Sequence, residues 1–490
     1  MEPCLFPACR GWYRRVATRA SPLKLFEALY AERPYAFLYE SLEARGTRGR
    51  YSFLGARPRA VFEARRDQYT LRSGQRLDVV QAGRGAPLDA LRRLIPRQSD
   101  TPPVAPFCGG AVGYLSYDAV RWCENLPARH ADDAGVPDAC FLFPQEVICF
   151  DHLEKVVHVL LFMDGGQPAR FEQIVAALAR IADADREGEP PGEPRLGPDL
   201  ALPADPDPAG STALEASAMR SNMTQAEFEA MVLRAKEYIL AGDVFQVVLS
   251  QRLEFPLTAP PQRLYKALRD TNPSPYMYYL RLGELHIAGS SPEILVKLIG
   301  RKVVTRPLAG TRRRGRTAEE DEALAAELRA DPKERAEHVM LVDLGRNDLG
   351  RVCEYGSVRL TETLEIERHS KVMHLVSNVE GWLRDGLDAF DVFRAVFPAG
   401  TVSGAPKVRA MQIIDELEPD RRGVYAGAIG YFSLLGDLDL CIAIRTIVMH
   451  GGRGYIQAGA GIVADSVPAR EYDETLNKAR ALWRAVQLAG

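Results

Sequence analysis

Apolar positions alternate with polar ones through much of the first 180 residues. Short runs such as YAFLYES, YSFLGA, AVFEA, ACFLFPQEVICF and KVVHVLLFM carry the two-residue period of half-buried strands. Between them, APLDALRRLI and ARFEQIVAALARIADA return apolar residues every three or four positions, the period of a helix with one buried face. The pattern then stops. Residues 184–219 read ADREGEPPGEPRLGPDLALPADPDPAGSTALEASAM, a stretch that cannot bury much apolar surface. Patterning resumes at NMTQAEFEAMVLRAKEYILAG, where Thr224 followed by Glu227 predicts a capping box and Gly242 a helix stop.

Further strands are predicted in VFQVVLSQRLEF, YMYYLRL, HIAGSS, EILVKLI, KVVTRPLAG, YAGAIGYFSL, LDLCIAIRTIVM and GYIQAGAGIV, with helices between them and a closing helix in EYDETLNKARALWRAVQLA. The expected class is α+β, rich in antiparallel strands. It divides into an N-terminal region 1–183, a linker 184–221 and a C-terminal region 222–490. No internal repeat is visible. Neither GxGxxG opening a helix nor GxxxxGK[ST] occurs, so a nucleotide-binding fold has no support.

Composition narrows the classes. The 490 residues are 46% apolar and carry a formal net charge of −3, which gives no general attraction for nucleic acid or anionic membrane. Arg312, Arg313, Arg314 and Arg316 form a local basic cluster that reads as a solvated turn. No apolar run is long enough to span a bilayer, and the first residues lack an apolar signal core. Cys4, Cys9, Cys108, Cys123, Cys140, Cys149, Cys353 and Cys441 show neither a disulfide framework nor a metal pattern. They are expected to be reduced in a cytoplasmic protein.

The candidate chemistry is carboxylate. In DPKERAEHVMLVDLGRND, Glu334 and Glu337 share a helix face, and Glu471 and Glu474 repeat that spacing in the last helix. Either pair alone reads as ordinary surface glutamate. If the faces meet, a divalent cation is the natural counter-ion, and oxygen donors without His or Cys favour Mg²⁺ over zinc.

Taken together, the motifs DVFQVVLSQR, SSPEIL, RPLAGTRRRG, DPKERAEHVMLVDLGRND, HLVSNVEG, FPAGTVSGAPK, RGVYAGAIGYF, CIAIRT, QAGAGIVADS and EYDETLNKA resemble those of the chorismate-utilising enzymes, most closely the component I branch of the anthranilate synthases. The resemblance spans nearly the whole chain. It implies a large α/β sandwich whose antiparallel-rich β-sheets enclose the active site, with helices outside. It implies Mg²⁺ held by Glu334, Glu337, Glu471 and Glu474 beside the ring carboxylate of chorismate, with Lys478 reaching that carboxylate. A Gly459-Ala460-Gly461 turn is expected to offer backbone N–H groups to an anion, and Arg445 with Tyr425 to grip the enolpyruvyl carboxylate. Taken singly, Arg445 also reads as a structural ion pair and the glycines as a strand bend.

Gly310, Thr311 and Thr401 line the substrate by the same resemblance. Glu293 is the implied general acid for the C4 hydroxyl; its residues alone read as an acid near a helix N-terminus. His374 is implied in the later loss of pyruvate, although an isolated His on an apolar segment also reads as a core residue. Ala309 stands where aminodeoxychorismate synthases carry a nucleophilic Lys, and Gln246 where isochorismate and salicylate synthases carry a water-activating Lys. Both point to ammonia attacking ring C2, giving anthranilate and pyruvate. An aminodeoxychorismate synthase and a catalytically silent tryptophan sensor are the alternatives.

Cys108, in PFCGG, lacks the first glycine of a glutaminase elbow and reads as packed, so a separate glutamine amidotransferase subunit is implied as ammonia source in a hetero-oligomer. NPSPYM, with Pro275, Tyr276 and Met277, and the LYES stretch, with Glu40 and Ser41, imply a tryptophan feedback site. Tyr39 departs there from the family's Leu, and Glu40 and Ser41 are expected to meet an ammonium group.

Overall fold

The computed structural model describes residues 12–18, 20–42, 49–74, 76–95, 103–163, 167–187, 219–368 and 372–490. Cys4, Cys9 and most of the expected linker lie outside them. Helix α3 (Gln167–Glu187) runs past the expected boundary at 183, and Arg220–Ser221 already forms a short strand, β9.

Two long strands organise the chain. β3 (Tyr51–Arg65) and β7 (Ala139–Asp151) pair antiparallel along almost their full length. YSFLGA and AVFEA, which look like two strands, are therefore one. The ladder shifts between Pro58 and Ala60, where Pro58 faces Pro144 and Arg57 has φ 53°. A proline donates no ladder hydrogen bond, so two opposed prolines mark the place where the ribbon bends.

Two arms leave this bent ribbon. From the Tyr51–Ala56 end, β3 pairs with β2 (Tyr35–Glu40). The arm then runs through β11 (Tyr276–Leu282), β12 (Leu285–Ser291), β21 (Thr446–His450) and β22 (Arg453–Ile462) to β10 (Gln246–Pro256). β10 also meets β9 and β18 (Gly404–Ala405). At the near end β7 pairs with β8 (Val156–Leu161), and β8 with β1 (Trp12–Ala17).

From the other half of the ribbon, β7 pairs with β6 (Gly110–Leu115), followed by β19 (Ala428–Ser433), β20 (Leu438–Ile442), β13 (Ile294–Ile299), β14 (Lys302–Thr305) and β17 (Val372–Trp382). β17 also carries β15 (Leu308–Arg313) and β16 (Arg359–Arg368). On the far side, β3 pairs with β4 (Gln68–Ser73) and β4 with β5 (Val79–Arg84). All these pairings are antiparallel. Strands from before and after residues 188–218 hydrogen-bond directly, β2 to β11 and β6 to β19.

The strand period sorts side chains between two cores. Phe37 of β2 and Tyr278 and Leu280 of β11 join one apolar cluster, which also takes Phe141, Ile429 and Phe432. Leu38, Met277 and Tyr279 join the other. That second cluster is roofed by α1 (Pro22–Tyr30), α3, α5 (Pro261–Thr271) and α11 (Pro468–Ala489), through residues such as Phe26, Ile174, Leu264 and Leu482. The first takes side chains from α2 (Pro87–Leu94), α4 (Gln225–Leu240), α7 (Pro332–Gly350), α8 (Ala389–Val396) and α10 (Lys407–Leu417). α6 (Ala318–Ala330) covers Met373 and Leu375 of β17, and the one-turn α9 spans Gly400–Ser403. α4 opens on the expected capping box, with Thr224 and Glu227 each accepting from the other's backbone.

Among the described residues no helix is long and apolar enough to cross a membrane. The six described cysteines are unbridged. Cys108 is packed: its Sγ lies 3.0 Å from the Ala105 carbonyl, and burial pushes its thiol up to about 11. The sandwich matches the expected class. Phe432 carries much of its apolar contact, stacking on Phe390 of α8 with ring centroids 4.3 Å apart. Phe432→Ala is expected to cost about 3–5 kcal/mol, read as a lowered denaturant midpoint with far-UV circular dichroism otherwise retained.

Candidate active site

Two neighbouring strands place most of the expected residues. β10 and β22 pair without a break from Val247↔Ile462 to Pro256↔Arg453, which sets Ser250 opposite Gly459 and Val248 opposite Gly461. Gly459-Ala460-Gly461 is therefore regular strand, not the expected turn. Its glycines serve close approach instead. A Cβ on Gly459 would stand 2.7 Å from the Tyr425 hydroxyl, and one on Gly461 would stand 2.6 Å from Gln246 Nε2.

Both acid pairs are tied to this segment. Gln246, at the start of β10, donates from Nε2 to Glu337 Oε1 at 2.9 Å. Lys478 donates to the Gly459 carbonyl at 2.9 Å and pairs with Glu474 at 2.7 Å. Glu337 on α7 and Glu474 on α11 are thus each one side chain removed from Gly459–Gly461, through Gln246 and Lys478. Burial raises the proton affinity of Glu471, and the like charge of Glu474 adds to it, while Ser466, Lys333 and Lys478 oppose the rise. Lys333 belongs to α7, so the first turns of the two helices share one electrostatic neighbourhood.

Glu334 is held by Arg312, whose Nη1 lies 3.1 Å away. Arg312 also pairs with Glu327 and with Asp331, the N-cap of α7. The basic cluster is thus laced with ion pairs, Arg313 meeting Glu320 and Arg314 meeting Asp321, although Arg313 and Arg316 remain exposed as a solvated turn would have them. Among the described residues no three carboxylates or other ligating groups lie close enough to hold one metal ion. In donor type and charge the four glutamates suit a hard divalent cation. Here Arg312 engages Glu334, Gln246 engages Glu337 and Lys478 engages Glu474, while Glu471 is turned to Ser466.

Glu293 follows β12 and precedes β13, so no helix begins there. It is buried, and burial pushes its carboxyl up to about 8. The Thr401 hydroxyl, the Leu308 backbone N–H and the charges of Arg445 and Lys478 oppose that rise. Arg445 sits where LDLCIAIRTIVM, expected as one strand, breaks into β20 and β21. Its φ of 49° puts it in the left-handed region, a strained position for a residue with a Cβ.

His374, on β17, has Nδ1 2.9 Å from the Gly310 carbonyl and 3.1 Å from Thr311 Oγ1. A carbonyl only accepts, so Nδ1 carries a proton, and Nε2 is the ring nitrogen left for proton exchange. Gly310 has φ +69°, and a Cβ there would stand 2.9 Å from Glu334 Oε2. Ala309, buried beside it on β15, presents only a methyl.

A cavity of about 450 Å³ lies elsewhere between the arms. Glu40, Ser41, Pro275, Tyr276 and Met277 all line it, with Tyr39, Lys297, Arg306 and Glu380. Its wall includes Pro292 and Ile294, the residues flanking Glu293. Ser41 Oγ is buried and has no hydrogen-bond partner among the described residues. Glu40 differs from expectation: its carboxylate already takes the Tyr265 hydroxyl at 2.7 Å and Arg269 at 3.0 and 3.2 Å. Tyr39, also on the wall, donates its hydroxyl to the Gly430 carbonyl at 3.0 Å.

Residues 34–484 match the model of the chorismate binding enzyme family, and the chain belongs to that family. Among curated relatives it is 47% identical to anthranilate synthase component 1 of Pseudomonas putida, over 96% of this chain and 93% of that one. It is 46% identical to anthranilate synthase component 1 of Thermus thermophilus, over 97% and 98%. The crystal structure of anthranilate synthase component I from Streptococcus pneumoniae superposes with a TM-score of 0.74 at 40% identity, covering 90% and 93%.

Gly310→Ala forces a side chain into left-handed backbone, at a cost of about 1–2 kcal/mol, while Gly350 has open space around it. Thermal melting should show the first substitution lowering the midpoint and Gly350→Ala leaving it level or higher. Equal midpoints would refute this account of Gly310.

Proposed function

We propose that this chain converts chorismate and ammonia to anthranilate and pyruvate, as the synthase subunit of an anthranilate synthase. The observation that carries this reading is the joint placement of Glu337, Glu474, Lys478 and Gln246 about Gly459–Gly461, on a chain closely similar to anthranilate synthase components. Lys478 and the bare backbone of Gly459–Gly461 receive the ring carboxylate. Arg445 and Tyr425 receive the enolpyruvyl carboxylate.

Glu334, Glu337, Glu471 and Glu474 would hold Mg²⁺, exchanging their present partners for it. When bound, the ion neutralises the ring carboxylate and polarises the ring. Glu293, protonated at neutral pH because it is buried, donates its proton to the C4 oxygen, which leaves as water. Ammonia forms the new bond at C2. With a methyl at Ala309 and a neutral amide at Gln246, those two positions supply neither a covalent nucleophile nor a base for water. Loss of the C2 proton and of pyruvate then gives the aromatic ring. His374, with Nε2 as its basic nitrogen, is placed for proton transfer in that step, and Thr311 holds its ring.

In this reading ammonia comes from a glutamine amidotransferase subunit in a cytoplasmic hetero-oligomer, and the chain alone uses ammonium salts. Tryptophan is the feedback inhibitor, bound in the 450 Å³ cavity against Pro275, Tyr276 and Met277. The orphaned hydroxyl of Ser41 supports a polar ligand there, and Glu40 acts through its pairing with Arg269.

Incubation with chorismate, Mg²⁺ and ammonium should develop anthranilate fluorescence that saturating tryptophan suppresses. Aminodeoxychorismate as the product, or no turnover, would overturn the assignment. Glu337→Gln and Glu474→Gln should stay folded and lose at least about 100-fold in turnover, with weakened Mg²⁺ binding in calorimetry; full activity in either removes the metal assignment.

The Glu293 carboxyl must be protonated to act, so kcat should fall as pH rises through about 8. In Glu293→Gln the residual rate should be about 10²–10⁴-fold lower and lack that alkaline limb. An unchanged limb would assign the titration to another group.

A further inference from the structure

Behind the candidate site lies a buried ion pair to which none of the chemistry above assigns a role. Glu418 closes α10, and Arg422 follows one turn later; both are almost fully buried. Arg422 donates from Nε to Glu418 Oε2 at 2.8 Å and from Nη2 to Oε1 at 2.6 Å. Two further N–H groups go to backbone carbonyls, Val402 at 2.7 Å from Nη1 and Val248 at 2.7 Å from Nη2. The guanidinium also lies over the rings of Tyr117 and Tyr425, at 4.7 and 5.6 Å from their centroids. Glu418 Oε1 in turn accepts the backbone N–H and the hydroxyl of Ser250, each at 2.8 Å.

Each anchor point is next to a site residue. Val402 follows Thr401, which lines one small pocket with Glu293. Val248 and Ser250 are the β10 partners of Gly461 and Gly459. Tyr425 is stacked directly. One guanidinium–carboxylate pair therefore ties together three separate elements: the α9 turn, the β10–β22 ladder and the Tyr425 loop. Stability alone does not account for it, because replacing a buried ion pair by apolar residues of the same volume is often neutral or stabilising. Its geometry does. A planar fork can meet a carboxylate and two carbonyls at fixed angles, which a lysine cannot.

We propose that Glu418–Arg422 is a positioning pair for the reaction: it touches no substrate, and it fixes Thr401, Tyr425 and the Gly459–Gly461 strand relative to one another. The proposal rests on the reading that those residues meet substrate.

The test is a set of double-mutant cycles with ammonium as nitrogen donor, with kcat/KM for chorismate and the melting midpoint measured for each variant. Arg422→Lys should fold and lose about 10- to 100-fold in kcat/KM, the scale of a displacement near 1 Å. Combined with Thr401→Ala or Tyr425→Phe, it should lose far less than the product of the single losses, because both changes remove the same placement. A stability effect alone would leave the losses multiplicative, and multiplicative losses overturn the proposal. So does a folded Arg422→Lys of full activity. If Thr401→Ala and Tyr425→Phe are each fully active, the site reading itself fails and the proposal with it. Should Arg422→Lys not fold, Glu418→Gln with Arg422→Gln removes both charges together and enters the same cycles with the same expected coupling.

Discussion

The site depends on the register of one strand pair. β10 and β22 match ten consecutive residues, and that match decides which atoms face the acid pairs. Strand side chains alternate with a period of two, so a slip of one residue would turn Gln246 away from Glu337 and bring residues with side chains to the positions of Gly459 and Gly461. The glycines in turn permit the register, since a Cβ at either would collide with Tyr425 or Gln246. Lys478 and Gln246 then connect this strand pair to α11 and α7. Residues more than two hundred positions apart thereby share one small volume.

The strongest periodicities were legible in the sequence. The α4 capping box, the α7 and α11 helices and most strands follow from apolar period and end signals alone. The breaks were less visible. LDLCIAIRTIVM is mostly apolar and carries no Gly or Pro to mark the kink at Arg445; the break arises because β20 and β21 pair with different partners, β13 and β12. KVVTRPLAG likewise divides at Arg306–Pro307. In the opposite sense, YSFLGA and AVFEA run on as β3 because β7 pairs with both of them across the Pro58–Pro144 irregularity, a tertiary fact. β6, all of whose side chains are buried, and β16, largely exposed, lack the alternation that reveals a strand.

The site residues divide on the same line. Glu-x-x-Glu repeated on two helices is a local signal, and the resemblance supplied their meeting. Arg312, read as part of a solvated turn, is half-buried in ion pairs with Asp331 and Glu334 because α7 begins against β15. Arg422 and Glu418 lie four apart and could be any helix-end pair. Only the fold shows that their partners are Val248, Ser250 and Val402. Charge in this protein is informative where it is buried, and burial is what a single sequence states least directly.

The cavity of about 450 Å³ between the arms has a thermodynamic consequence. Its lining mixes apolar side chains with charged ones, so an occupant of matching shape would take apolar surface out of water. A ligand that fills it, and binds only the folded chain, shifts the folding equilibrium by mass action, about 2.7 kcal/mol at one hundred times its dissociation constant. Resistance to heat and to proteolysis then rises with the concentration of the occupant. The lifetime of this polypeptide becomes a readout of how full the hollow is.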